Sequence, residues 1–137
     1  MSDSADVELR LPADGAYASV LRTTTAALAA RLDFTIDDIE DLRIAVAEAA
    51  AMVLEFADEG TELTAHFLLA PGEMTVEVSV GTATPPEPDY DSFGWQVLTT
   101  LASSAEVAVA DGRFAVRMTM TSAVAQPSGP SPSEADA

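Results

Sequence analysis

The chain has 137 residues, no cysteine, and six basic residues, all arginine, against 23 acidic ones, a net charge of −17. That length fits one domain with a real core, and the missing cysteines exclude disulfides and thiolate metal sites. The charge disfavours DNA, RNA and anionic membranes, whose binding rests on neutralising phosphate; it suits a basic protein partner, or simply keeps an alanine-rich protein soluble. No apolar run is long enough to cross a bilayer, and the start MSDSADVE lacks a basic, apolar leader, so the expectation is a soluble cytoplasmic protein. A single histidine, His66, has no second one to share a metal with, and no metal site is expected.

In chain order, residues 1–5 read as a flexible start. Val7, Leu9 and Leu11 alternate with Glu8 and Arg10, which predicts a strand over 6–11 with one buried face. After Pro12, the positions Tyr17, Val20, Leu21, Thr24, Leu28 and Leu32 recur at helical spacing, predicting a helix over 14–32 with Asp14 as its N-cap. Thr35 opens a second helix, with Asp38 three residues on as a short-acid capping box. Its core stripe is Ile39, Leu42, Val46, Ala49, Val53 and Phe56, and it ends at Asp58–Gly60. Ile44, Glu48, Met52 and Glu55 fall on another flank, one turn apart, facing a pocket, a partner or a second seam.

Two alternating segments around Leu63–Leu69 and Met74–Val80, joined by Pro71-Gly72, predict an antiparallel hairpin. The stretch GTATPPEPDYD over 81–91 excludes regular structure. Ser92 caps a third helix that packs Trp95, Leu98 and Leu101. A last hairpin, 105–110 and 113–121, turns at Asp111-Gly112. From 123 to 137 the Pro-, Ser- and acid-rich sequence predicts a disordered tail. Residues 6–122 form the domain. The predicted class is α+β: a two-layer α/β sandwich, a mixed, mostly antiparallel sheet covered on one face by three helices.

This order, with DLRIAVAEAA (Asp41 to Ala50) on the long helix and SFGWQVLTTLASSAEV at the third helix and following strand, resembles the GHKL ATPase superfamily. Within it, the chain is similar to the serine-kinase-type anti-sigma factors. The resemblance places Glu48 at the family's general base. Met52 stands where the family carries an Asn that supports Mg²⁺, and a thioether is a poor ligand for that hard cation. Ser79-Val80-Gly81 matches the D-x-G motif, keeping the glycine and losing the adenine-reading acid. Gly94 is what remains of the glycine-rich phosphate loop, and the flanking Phe93 and Trp95 would crowd a triphosphate. No lysine exists to hold phosphate. The resemblance thus implies an anti-sigma factor that sequesters a sigma factor as a homodimer. An anti-anti-sigma factor competes for it, the nucleotide site is eroded, and no cofactor is required. Phe93, Trp95 and Tyr90, at the mouth of the long loop, are the candidate partner-binding residues.

Two other readings remain. One is an active, ATP- and Mg²⁺-dependent serine/threonine kinase that phosphorylates the anti-anti-sigma factor with Glu48 as base. The other sets the family aside, with an acidic protein sequestering a basic partner by mimicking nucleic-acid charge. Each site residue also has a plainer reading: Glu48 as a surface carboxylate, Met52 as a seam filler, the aromatics as packing, Gly81 as a strand end.

Overall fold

A computed structural model describes residues 5–110 and 112–122. The expectations for residues 1–4, for Asp111 in the last turn and for the tail from 123 lie outside the described residues. The elements run β1 (Val7–Pro12), α1 (Ala18–Arg31), α2 (Ile36–Leu54), β2 (Glu62–Ala70), β3 (Glu73–Gly81), α3 (Phe93–Leu101), β4 (Ser104–Ala110) and β5 (Arg113–Thr121). The five strands form one sheet in the order β1-β2-β3-β5-β4. All four pairings are antiparallel, so the sheet is wholly antiparallel where a mixed one was expected. The chain crosses over through α3 between β3 and β4, and β5 then turns back into the slot beside β3.

Period-two alternation decides which side of the sheet is covered. Met74, Val76, Val78 and Val80 of β3 and Phe114, Val116, Met118 and Met120 of β5 point to one face and are buried. Leu63, Ala65 and Phe67 of β2 extend that face. Helix α2 lies on it, burying Leu42, Ala45, Val46, Ala49, Ala50 and Val53, with α1 and α3 packed against its sides. The other face carries Glu8, His66, Glu77, Arg117 and Glu106 in one cross-strand row and is open.

Local signals account for most boundaries. The Thr35 hydroxyl accepts from the Asp38 N–H at 3.0 Å and starts α2. The Ser92 hydroxyl accepts from the Trp95 N–H at 3.1 Å and starts α3. Gly72, at φ 73°, follows Pro71 in the β2–β3 turn, the pairing that a type II turn takes.

Three expectations are corrected. The first helix does not begin at 14: Asp14 accepts from Ala16 N–H and starts a 3-10 turn, Gly15–Tyr17, before α1 proper. Its buried stripe is Leu21, Thr25 and Ala29, while Tyr17 and Val20 are exposed. Thr25 is tolerated there because its hydroxyl donates to the Leu21 carbonyl at 2.8 Å. Helix α2 stops at Leu54 rather than at Asp58–Gly60, which leaves Phe56 outside the helix and exposed at its end.

Candidate functional site

One cleft, with a volume of about 310 Å³, gathers residues from α2, the 81–91 loop, α3 and β5 at the α2 C-terminal end of the domain. Helix α2 supplies Glu48, Ala51 and Met52, and Glu55 and Phe56 follow at its end. The 81–91 loop supplies Pro86, Glu87 and Asp89. The start of α3 adds Ser92 and Gly94, and β5 adds Phe114. The helical ladder read from the sequence therefore does line a pocket, through Glu48, Met52 and Glu55. Ile44 leaves it: the residue is 49% exposed and faces a neighbouring groove, with Arg22 and Arg43, that meets the cleft at Glu48.

The cleft is built by backbone anchors on the loop. Asp58 donates its N–H to the Gly81 carbonyl at 2.9 Å, and its carboxylate accepts from Ala83 N–H at 2.7 Å, fixing the loop start. Asp89 fixes the end, accepting from Asp91 N–H through its carboxylate and from Ser92 N–H through its carbonyl. Between them the prolines hold the chain extended over the α2 flank. The apolar wall is Met52 with Phe56 and Phe114, whose rings meet edge to face at 5.6 Å. The rest is acidic: Glu48, Glu55, Glu87 and Asp89 all line the cleft, and no arginine does. Among the described residues, no group of three or more His, Asp or Glu converges as metal ligands do.

Glu48, Met52 and Gly94 are brought together as expected. Helix α3 lies so close to α2 that a Cβ added at Gly94 would sit 3.1 Å from Glu48 Oε1 and 3.5 Å from Met52 Cγ. The close approach of two helices explains that glycine without a ligand.

Ser79 and Gly81 are not in the cleft. Ser79 belongs to the odd-numbered set of β3, which points to the open face, and its hydroxyl accepts from Arg113 Nη2 at 2.6 Å. Gly81 lies at the strand end, where a Cβ would collide with Thr61 Oγ1 at 2.7 Å and where its N–H donates to that same oxygen. Close packing by Thr61 accounts for this glycine.

The aromatic trio divides. Tyr90 and Trp95 stack edge to face at 5.0 Å, with Trp95 half-buried against the core. Phe93 is 77% exposed on the outer side of α3, beside Gln96, Val97, Thr100 and Leu101. It does not crowd the cleft; Glu48 and Met52 occupy the space in front of Gly94 instead. Sequence reasoning missed Phe114 and the loop acids Glu87 and Asp89. The Pro-rich interruption was the available signal that this loop folds back over a surface.

Comparisons with known proteins fall on the same fold. No protein-family model matches the chain. The chain is 40% identical over 74 residues to the serine-protein kinase RsbW of Halalkalibacterium halodurans, covering 53% of this chain and 46% of that protein. It is 37% identical over 71 residues to the serine-protein kinase RsbW of Bacillus subtilis, covering 49% and 44% respectively. The match thus spans just under half the length of these relatives. Among solved structures, the RsbU and RsbW domains of a Mycobacterium tuberculosis protein superpose with a TM-score of 0.63 at 19% identity, over 85% of this chain and 31% of that one. The histidine kinase domain of a blue-light-activated kinase from Erythrobacter litoralis superposes at 0.56 and 13% identity, over 88% and 65%. Identities this low speak to the fold alone.

Proposed function

We propose that this chain, a homologue of the RsbW serine-protein kinases with a GHKL-type fold, is an anti-sigma factor whose nucleotide cleft has lost its ligand chemistry. It binds and holds a sigma factor in a partner-switching system, and an anti-anti-sigma factor competes for the same protein. The observation that carries this reading is the lining of the cleft: four carboxylates and no cation. A nucleotide brings a polyanion, and like charges at close range in a partly desolvated site repel by far more than they do in water. Met52 offers a thioether where magnesium prefers oxygen. Ser79, on the other face of the sheet, offers nothing to a base. The residues of the cleft therefore do not fit a magnesium nucleotide, while the packing that shapes the domain is intact. A net charge of −17 suits a partner with a basic surface, chiefly by speeding encounter and excluding wrong partners. The stacked pair Tyr90 and Trp95 and, apart from it on the outer side of α3, the exposed Phe93 are the contact residues, of the kind that dominate protein interfaces.

The full chain, tagged and purified from its host without added nucleotide, is expected to bring a sigma factor with it, identified by mass spectrometry. A preparation that carries no sigma factor would overturn the reading.

One observation favours a second reading, an active serine kinase: Glu48 is half-buried in the cleft, next to Gly94, where a base would be needed. In that case Glu48→Ala abolishes phosphate transfer to an anti-anti-sigma protein and leaves sigma binding intact. Unchanged transfer in that variant removes Glu48 from the reaction.

A further inference from the structure

We propose that the free edge of β4 takes up an extended strand from a partner protein, one that carries an Arg or Lys opposite Glu106. This surface lies apart from the cleft and does not depend on the reading of it given above.

The sheet has two edges, and they are built differently. The β1 edge is guarded in the ways that proteins commonly use to prevent strand addition. Pro12 has no N–H to offer. Arg10 and Glu8 form an exposed ion pair along the strand, and Asp6 accepts from the Leu69 N–H at its end. The β4 edge has none of these. Its seven residues, SAEVAVA, contain no proline and one charge, and the β-branched Val107 and Val109 favour extended pairing. Val109 is 51% exposed, and Ala108 and Ala110 are exposed beside it. One side of this strand pairs with β5, and among the described residues its other side is a row of backbone groups without a neighbouring strand.

Charge on the open face specifies the occupant. One cross-strand row runs Glu8, His66, Glu77, Arg117, Glu106 through all five strands. His66 contacts Glu8 at 3.1 Å, and Arg117 donates to Glu77 at 3.4 Å. The row ends on Glu106, which is exposed and whose side chain has no hydrogen bond or ion pair among the described residues. Opposite charges directly across a strand pair stabilise it and like charges weaken it. The next strand in this row therefore favours a cation. A second copy of β4 cannot supply one: Ser104–Ala110 contains no Arg or Lys, so every β4–β4 register leaves Glu106 without a cation on its free side, Arg117 lying across from it only on the β5 side. A basic strand from another protein satisfies both the backbone edge and the row, the mode known as β-strand addition.

The test uses the full chain, isotope-labelled for NMR, and two short synthetic peptides of alternating Thr and Val. One has a central Arg and the other a central Glu. The Arg peptide is expected to shift and protect the amides of 104–110, to leave β1 unchanged, and to bind about fivefold more tightly than the Glu peptide. Glu106→Arg, an exposed substitution whose fold is checked by circular dichroism, is expected to reverse that preference. No perturbation of β4 at millimolar peptide overturns the proposal, as does equal affinity for the two peptides in both proteins. Protection of β4 that instead grows with protein concentration, with a dimer mass in sedimentation, identifies a second copy as the occupant and overturns it too.

Discussion

Helix α2 presents two flanks that follow different rules. Toward the sheet, Leu42, Val46, Ala49 and Val53 are fully buried and interlock with β3 and β5. Toward the cleft, Glu48, Met52 and Glu55 meet the loop and α3. The first flank is constrained by packing whatever the protein binds, because any change of volume there leaves a cavity or forces strain. The second is constrained only by what enters the cleft. One helix can thus keep a fold while the chemistry carried a turn away drifts, so shared fold and shared reaction need separate evidence.

The sharpest way to separate the flanks is to truncate both. Leu42→Ala removes a fully buried side chain and is expected to lower unfolding free energy in urea by about 2–5 kcal/mol. A loss below ~1 kcal/mol would mean the core flank collapses around the gap and is less constrained than its burial suggests. Thr35→Ala removes the cap shared by both flanks, and a loss of about 1 kcal/mol is expected from the same titration. Glu48→Gln, on the cleft flank, is expected to change stability by no more than about 0.5 kcal/mol, because the side chain is half-exposed and, among the described residues, no hydrogen bond or ion pair holds it. A large loss there would reveal a structural partner for Glu48.

The smallest effect lies on the open sheet face. Hydrogen bonding from Arg10 holds the Glu8 carboxyl below its ordinary range, helped by the charges of Arg10 and His66. A depressed folded-state pKa means Glu8 contributes stability above the unfolded-state value, and the contribution is lost as pH falls through the folded value. In an NMR titration of the Glu8 carboxyl, Arg10→Ala is expected to move its midpoint upward toward the ordinary glutamate value. An unmoved midpoint would assign the depression to another neighbour.

Much of this was legible in the sequence because the signals were local. Thr35 and Ser92 mark their helices by hydroxyl caps, Pro71-Gly72 marks the hairpin, and three prolines mark the loop. The first helix was harder. Its run of Ala and Thr gives no strong apolar stripe, so the choice among Val20, Leu21, Thr24 and Thr25 depends on how α1 leans on α2. The sites of Ser79 and Gly81 illustrate a different failure. Motif matching placed them in the cleft, yet the alternation of β3 already put Ser79 with Thr75 and Glu77, opposite Met74, Val76 and Val78. Period two, applied strictly, would have assigned Ser79 to the far face. Phe114 and the loop acids were not legible, because long-range pairing and a folded-back loop bring them to α2 from distant parts of the chain.

The most direct measurement is calorimetry of Mg·ATP with the purified full chain, run with and without magnesium. A cleft of four carboxylates and no cation predicts no detectable heat of binding in either case. Micromolar binding that weakens when magnesium is removed would contradict it, and would mean that the cleft flank of α2 still serves a nucleotide.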